Sequence, residues 1–130
     1  MANINLEEAL DAFKSRLRRM QMKLNEFVNK YSYNIEFDAE ENIYIARCAE
    51  MVSLAAHGDT PDKAFAEIRI AVGAALKWMK EEGEELPEPF SLHKFSGEFR
   101  VRMPPEKHRK IAIEAALQGV SMNQFIVAKL

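Results

Sequence analysis

From residue 5 to residue 31 the apolar positions recur with a helical period. Leu6, Leu10, Phe13, Leu17, Met20, Leu24, Phe27 and Tyr31 follow one another at spacings of 4, 3, 4, 3, 4, 3 and 4. An unbroken heptad seam of this kind predicts one long helix. Asn5 can cap it, with Glu8 three residues on as a capping-box partner. Glu7, Glu8 and Asp11 lie near the positive helix end, and Arg16, Arg18, Arg19 and Lys23 lie further along. The seam either joins the helix to another copy of itself or packs it on its own domain; the regular 3–4 spacing favours association. After Tyr31 the period drops to two. Tyr33, Ile35 and Phe37 alternate with Asn34, Glu36 and Asp38, and Ile43, Ile45 and Arg47 alternate with Tyr44, Ala46 and Cys48. The polar run 38–42 between them predicts a hairpin, and Val52–His57 is a third, weaker strand.

Gly58 marks a turn, Thr60 is a suitable N-cap and Pro61 suits the first helical position. The helix that follows runs to about Glu82, with Ala64, Phe65, Ile68, Val72, Ala75, Leu76 and Met79 on the face that covers the sheet. Gly83 is its stop, and Leu86-Pro87-Glu88-Pro89 reads as an extended linker. Glu98–Met103 alternates again, with Phe99, Val101 and Met103 opposite Glu98, Arg100 and Arg102. Pro104 and Pro105 end that strand and open a helix carrying Ile111, Ala112 and Ala115, which ends near Gly119. Ser121 and Gln124 form a capping box for a last helix with Phe125, Ile126 and Leu130 on its apolar face.

One strand and two short helices cannot enclose a core by themselves, and a lone strand leaves its hydrogen-bonding edge open. Pairing with the same strand of a second chain answers both needs. The dimer core then contains Phe99, Val101, Met103, Ile111, Phe125 and Ile126. The resulting two-stranded ribbon presents Glu98, Arg100 and Arg102 twice over, in a shape that fits the DNA major groove, where Arg bonds guanine in bidentate fashion. Ser121, Met122 and Asn123 at the last helix start, with Lys94, are the expected phosphate contacts. An ordinary solvated strand face is the other reading of the two arginines.

Charge sharpens this division. The net charge of −2 conceals +2 in residues 1–30, −8 in residues 31–92 and +4 in residues 93–130, which suggests two partners of opposite charge. The single cysteine, Cys48, forms no intrachain disulfide and reads as half-buried packing at a strand end. With no basic leader into an apolar run near Met1 and no membrane-length apolar stretch, the expected location is the cytoplasm. No Cys/His cluster has metal-site spacing, and no cofactor is expected. A nuclease would need a carboxylate cluster. Asp38 and Asp59 read as turn residues, the acidic residues 81, 82, 84 and 85 as a solvated tail, and His57, His93 and His108 lack an evident acid partner. Trp78 lies off the main helix stripe, as a partner contact or as extra core coverage.

The tract Phe95-Ser96-Gly97-Glu98-Phe99-Arg100-Val101-Arg102-Met103-Pro104, with His108 and Gly119-Val120-Ser121-Met122-Asn123-Gln124-Phe125, resembles the ribbon-helix-helix end of HicB antitoxins. Tyr33–Phe37, Gly58-Asp59-Thr60 and Leu86–Pro89 are similar to the same family, so the resemblance spans about residues 31–130. It implies a partial RNase H-like domain of a small antiparallel sheet and one packed helix (32–85), a linker (86–95) and a ribbon-helix-helix module (96–130), which with the N-terminal heptad helix (1–31) read from the spacing make an α+β chain in four parts. It further implies a non-enzymatic antitoxin that neutralises a small basic HicA-type RNase and represses its own operon as a homodimer. The N-terminal helix, outside the resemblance, would extend this to a tetramer. The sequence departs from the family at Glu98, where lysine is common. A stand-alone ribbon-helix-helix regulator with another partner for its middle domain is the alternative.

Overall fold

The computed structural model describes residues 5–130. Residues 1–4 of the expected first segment, on which most of the reading about a leader rests, lie outside the described residues. The heptad seam forms helix α1 (Leu6–Lys30), and the Asn5 side chain accepts the backbone N–H of Glu7. The cap therefore acts two residues on, not through the expected box with Glu8. The alternating runs form β1 (Tyr33–Asp38) and β2 (Ile43–Cys48), joined by a turn in which Asn42 takes a positive φ of 55°. A third strand, β3 (Met51–Gly58), is one residue longer at each end than its pattern predicts, and it completes an antiparallel sheet of order β1-β2-β3. Its register shifts where it meets Arg47 and Cys48.

Register decides which side chains face the core. Tyr33 pairs with Cys48, Ile35 with Ala46 and Phe37 with Tyr44, so these residues share one face. Helix α2 (Pro61–Glu81) covers that face with Ala64, Ile68, Val72 and Leu76, all fully buried. Phe65, at its margin, meets the Tyr33 ring edge-on at 5.3 Å. Thr60 accepts the Lys63 N–H as the cap, Pro61 opens the helix and Gly83 ends it at φ +73°. Gly58 serves a different need from the turn its position suggests. A Cβ there would lie 2.5 Å from the backbone nitrogen of Ala64, so glycine lets the end of β3 and the first turn of α2 approach.

The seam of α1 divides. Leu24 and Tyr31 are buried in the core beside Val28, and Phe27 packs against them. Leu6, Leu10, Phe13 and Leu17 are exposed. Packing on its own domain therefore holds for the last two turns, and this corrects the expectation that Leu24 and Phe27 are free for association. Cys48 is fully buried rather than half-buried, and burial pushes its thiol pKa up. Burial likewise raises the phenol of Tyr33, to about 12, while its hydroxyl donates to the Val28 carbonyl at 2.6 Å.

The chain divides into two units, the first ending at Lys94 and the second running Phe95–Leu130. Residues 86–91 are not a free tether. Pro89 is buried, Tyr31 Oη donates to the Pro87 carbonyl at 2.7 Å, and Ser91 Oγ donates to the Lys30 carbonyl at 2.8 Å. The second unit holds helices α3 (Pro105–Leu117) and α4 (Met122–Val127). The fold is thus α+β, with one three-stranded antiparallel sheet and four helices among the described residues. No described helix is long and apolar enough to cross a membrane.

Candidate nucleic-acid interface

The second unit is organised by its helix ends. Gly119, at φ +71°, lets the chain turn back so that Gly119 N–H bonds the Ala116 carbonyl and Val120 N–H bonds the Ala115 carbonyl, both at 3.1 Å. These are the two bonds of a Schellman stop. Two residues later Ser121 Oγ accepts the Gln124 N–H and Gln124 Oε1 accepts the Ser121 N–H, each at 3.0 Å, the full capping box that the sequence predicts. The box occupies both groups of Ser121. It leaves the N–H groups of Met122 and Asn123, in the first turn, with no carbonyl one turn earlier to bond. Lys94, the fourth expected phosphate contact, is the last residue of the first unit.

Residues 98–103, expected as a strand, form no strand in the single chain. Phe99 is 78% exposed and Val101 53%, while Met103 is half-buried; Glu98, Arg100 and Arg102 are all exposed. Of the remaining expected dimer-core residues, Phe125 is buried and Ile111 and Ile126 are half-buried. Phe99, Val101, Met103, Ile111, Met122, Ile126, Val127 and Leu130 surround a concave space of about 880 Å³. Leu130 lies beyond α4, which ends at Val127, so it reaches this space from the tail and not from the helix face as expected. Glu98 and Arg102 border the same space and Arg100 does not. A lone segment outside any sheet has no ladder to hold its two sides apart as a pleated strand would.

In the first unit, one face of the sheet is uncovered by α1 or α2. It carries Asn34 opposite Arg47, Glu36 opposite Ile45 and Asp38 opposite Ile43, with His57 beside Ile45. Asp38 accepts the backbone N–H groups of Glu40 and Glu41, the turn role expected of it. His93 does have an acid partner, which corrects the sequence reading: its Nδ1 lies 3.1 Å from Glu88 Oε2, and both side chains are about half exposed. Trp78 is exposed. No group of three His, Cys, Asp or Glu is placed to hold a metal ion among the described residues.

Glu50 is the residue that the sequence did not single out. Its carboxylate accepts the Ser32 N–H and the Phe90 N–H, both at 2.9 Å, and lies 3.7 Å from the Cys48 thiol. One side chain from the β2–β3 turn thus ties the start of the sheet to residue 90. No local pattern announces it, because both backbone partners are distant in sequence.

The family model described as the HicB family matches residues 76–130, which takes in the end of α2, the Leu86–Pro89 stretch and the whole second unit. Neither curated proteins nor solved structures give a match to the chain. The family match supports membership of this chain in the HicB family, a family of toxin–antitoxin antitoxins.

Proposed function

We propose that the chain is the antitoxin of a type II toxin–antitoxin pair, which neutralises a small HicA-type RNase through its first unit and represses its own operon through the second. The observation that carries this reading is the second unit's exposed apolar concavity, bordered by an unpaired segment with alternating arginines. A second copy adding its own residues 98–103 edge to edge gives a ribbon-helix-helix dimer. The ladder then separates the faces, so that Phe99, Val101 and Met103 fill the core with Ile111, Phe125 and Ile126. Glu98, Arg100 and Arg102 face the major groove. Met122 and Asn123, with Ser121 and Lys94, approach the flanking phosphates. Glu98 accepts from cytosine N4 or opposes phosphate, so it selects among operators.

The first unit's sheet and single covering helix fit a partial RNase H-like fold, and the reading assigns it no catalytic step. Its uncovered face carries Glu36 and Asp38, and residues 31–92 sum to −8, which suits a basic RNase. The test uses the full chain with the toxin of the adjacent reading frame and the operon's promoter DNA. Inhibition of RNA cleavage and promoter binding are both expected. Arg100→Ala and Arg102→Ala should each weaken promoter binding by ~1–3 kcal/mol and relax its specificity. Unchanged binding of both variants at fixed salt would remove the ribbon assignment.

The extent of the family match favours one second reading. It covers the second unit but not β1–β3, as a stand-alone ribbon-helix-helix regulator with a different first-unit partner would. Promoter binding without toxin inhibition selects that reading.

A further inference from the structure

The exposed half of α1 belongs to neither role proposed above, and its pattern specifies a partner. Leu6 is 82% exposed and Leu17 still 44%, with Leu10 and Phe13 between them on the same stripe. We propose that Leu6–Leu17 of two copies of this chain pair as an antiparallel coiled coil. The inference stands independently of the antitoxin reading.

Two observations point to a second copy in this orientation. First, the stripe is self-complementary. With one helix reversed, Leu6 of each copy packs on Leu17 of the other and Leu10 on Phe13, four layers closed by a two-fold axis. Second, the flanking charges choose the direction. In a heptad with Leu10 and Leu17 at a, and Leu6 and Phe13 at d, Glu7 and Lys14 occupy successive e positions. Antiparallel helices bring e against e, so Glu7 of each copy meets Lys14 of the other. A parallel pair would set Ala9 against Lys14 and Arg16 against Gln21, with no attraction in either contact.

The register also explains why the seam divides. Beyond Met20 the stripe enters the intrachain core, so the pairing stops where the domain begins. The test uses light scattering on the full chain. Leu10→Glu with Phe13→Glu, both at exposed positions, should leave the circular dichroism unchanged and halve the mass per particle. An unchanged mass overturns the proposal. Direction is read by disulfide trapping, for which the native thiol is buried. Chains carrying Leu6→Cys should cross-link only when mixed with chains carrying Leu17→Cys. Cross-linking of Leu6→Cys chains with one another would show the parallel arrangement and overturn the antiparallel one.

Discussion

In the first unit the apolar stripe of α2 disappears from solvent, with Ala64, Ile68, Val72 and Leu76 all at zero exposure. In the second unit only Ala115, at 2%, and Phe125, at 6%, are buried, while Phe99, Val101, Leu117, Val127 and Leu130 stand open. The two stretches read alike in hydrophobic pattern. What separates them is the number of elements available. Three strands, α2 and the last turns of α1 enclose a core; two short helices and one segment outside any sheet do not. The second unit also spends its polar chemistry differently. Its capping box and Schellman stop are complete, so the backbone is locally well specified while the core is not. On the proposed reading, a segment with good local signals and exposed apolar residues is completed by a second chain, whereas the first unit encloses its own core.

The largest test of this contrast is Phe99→Ala. In a single chain the ring is mostly solvated and its loss should be nearly neutral. In a ribbon dimer it is core, and truncation should cost ~3–5 kcal/mol per chain, felt twice because the interface is symmetric. Sedimentation at several concentrations should show the dimer of the second unit lost in the variant. If dimerisation is unaltered, Phe99 lies outside the shared core.

Leu76→Ala probes the opposite side of the comparison. The side chain is fully buried within one chain, so the expected loss is ~2–5 kcal/mol. Denaturant unfolding followed through Trp78, the single tryptophan and itself on α2, should show it. The shift should not depend on protein concentration. A concentration-dependent shift would mean that the first unit's core is also completed by another chain.

How far each region was legible follows the same division. The bounds of β1 and β2 and the buried stripe of α2 were readable because a period of 2 or 3.6 follows directly from burying one face. The helix ends at Gly83, Gly119 and Ser121 were readable because caps are local chemistry. The docking of residues 86–91 was not, since it depends on Glu50 and Tyr31 meeting partners about 40 and 56 residues away in the chain. Nor was the split of the α1 seam, whose spacing is identical in the half that packs at home and the half that does not. The candidate DNA face was legible as alternation at Glu98–Met103, yet its geometry depends on a strand that one chain does not contain.

The smallest expected effect separates local from assembled stability most finely. Thr60 and Ser121 are both N-caps, each accepting a backbone N–H three residues on. Replacing either by alanine should remove ~1 kcal/mol. The α2 cap belongs to a 21-residue helix locked onto the sheet, so Thr60→Ala should lower the first unit's midpoint slightly and leave its amide protection pattern intact. The α4 cap belongs to a six-residue helix that also loses the reciprocal Gln124 bond geometry. Isolated helices of this length do not persist in water, so Ser121→Ala should raise hydrogen exchange throughout residues 122–127. Because α4 borders the concavity that a second copy would fill, the same substitution should weaken dimerisation by roughly tenfold, the equivalent of about 1.4 kcal/mol. Exchange that rises without any change in dimer affinity would place α4 outside the shared core.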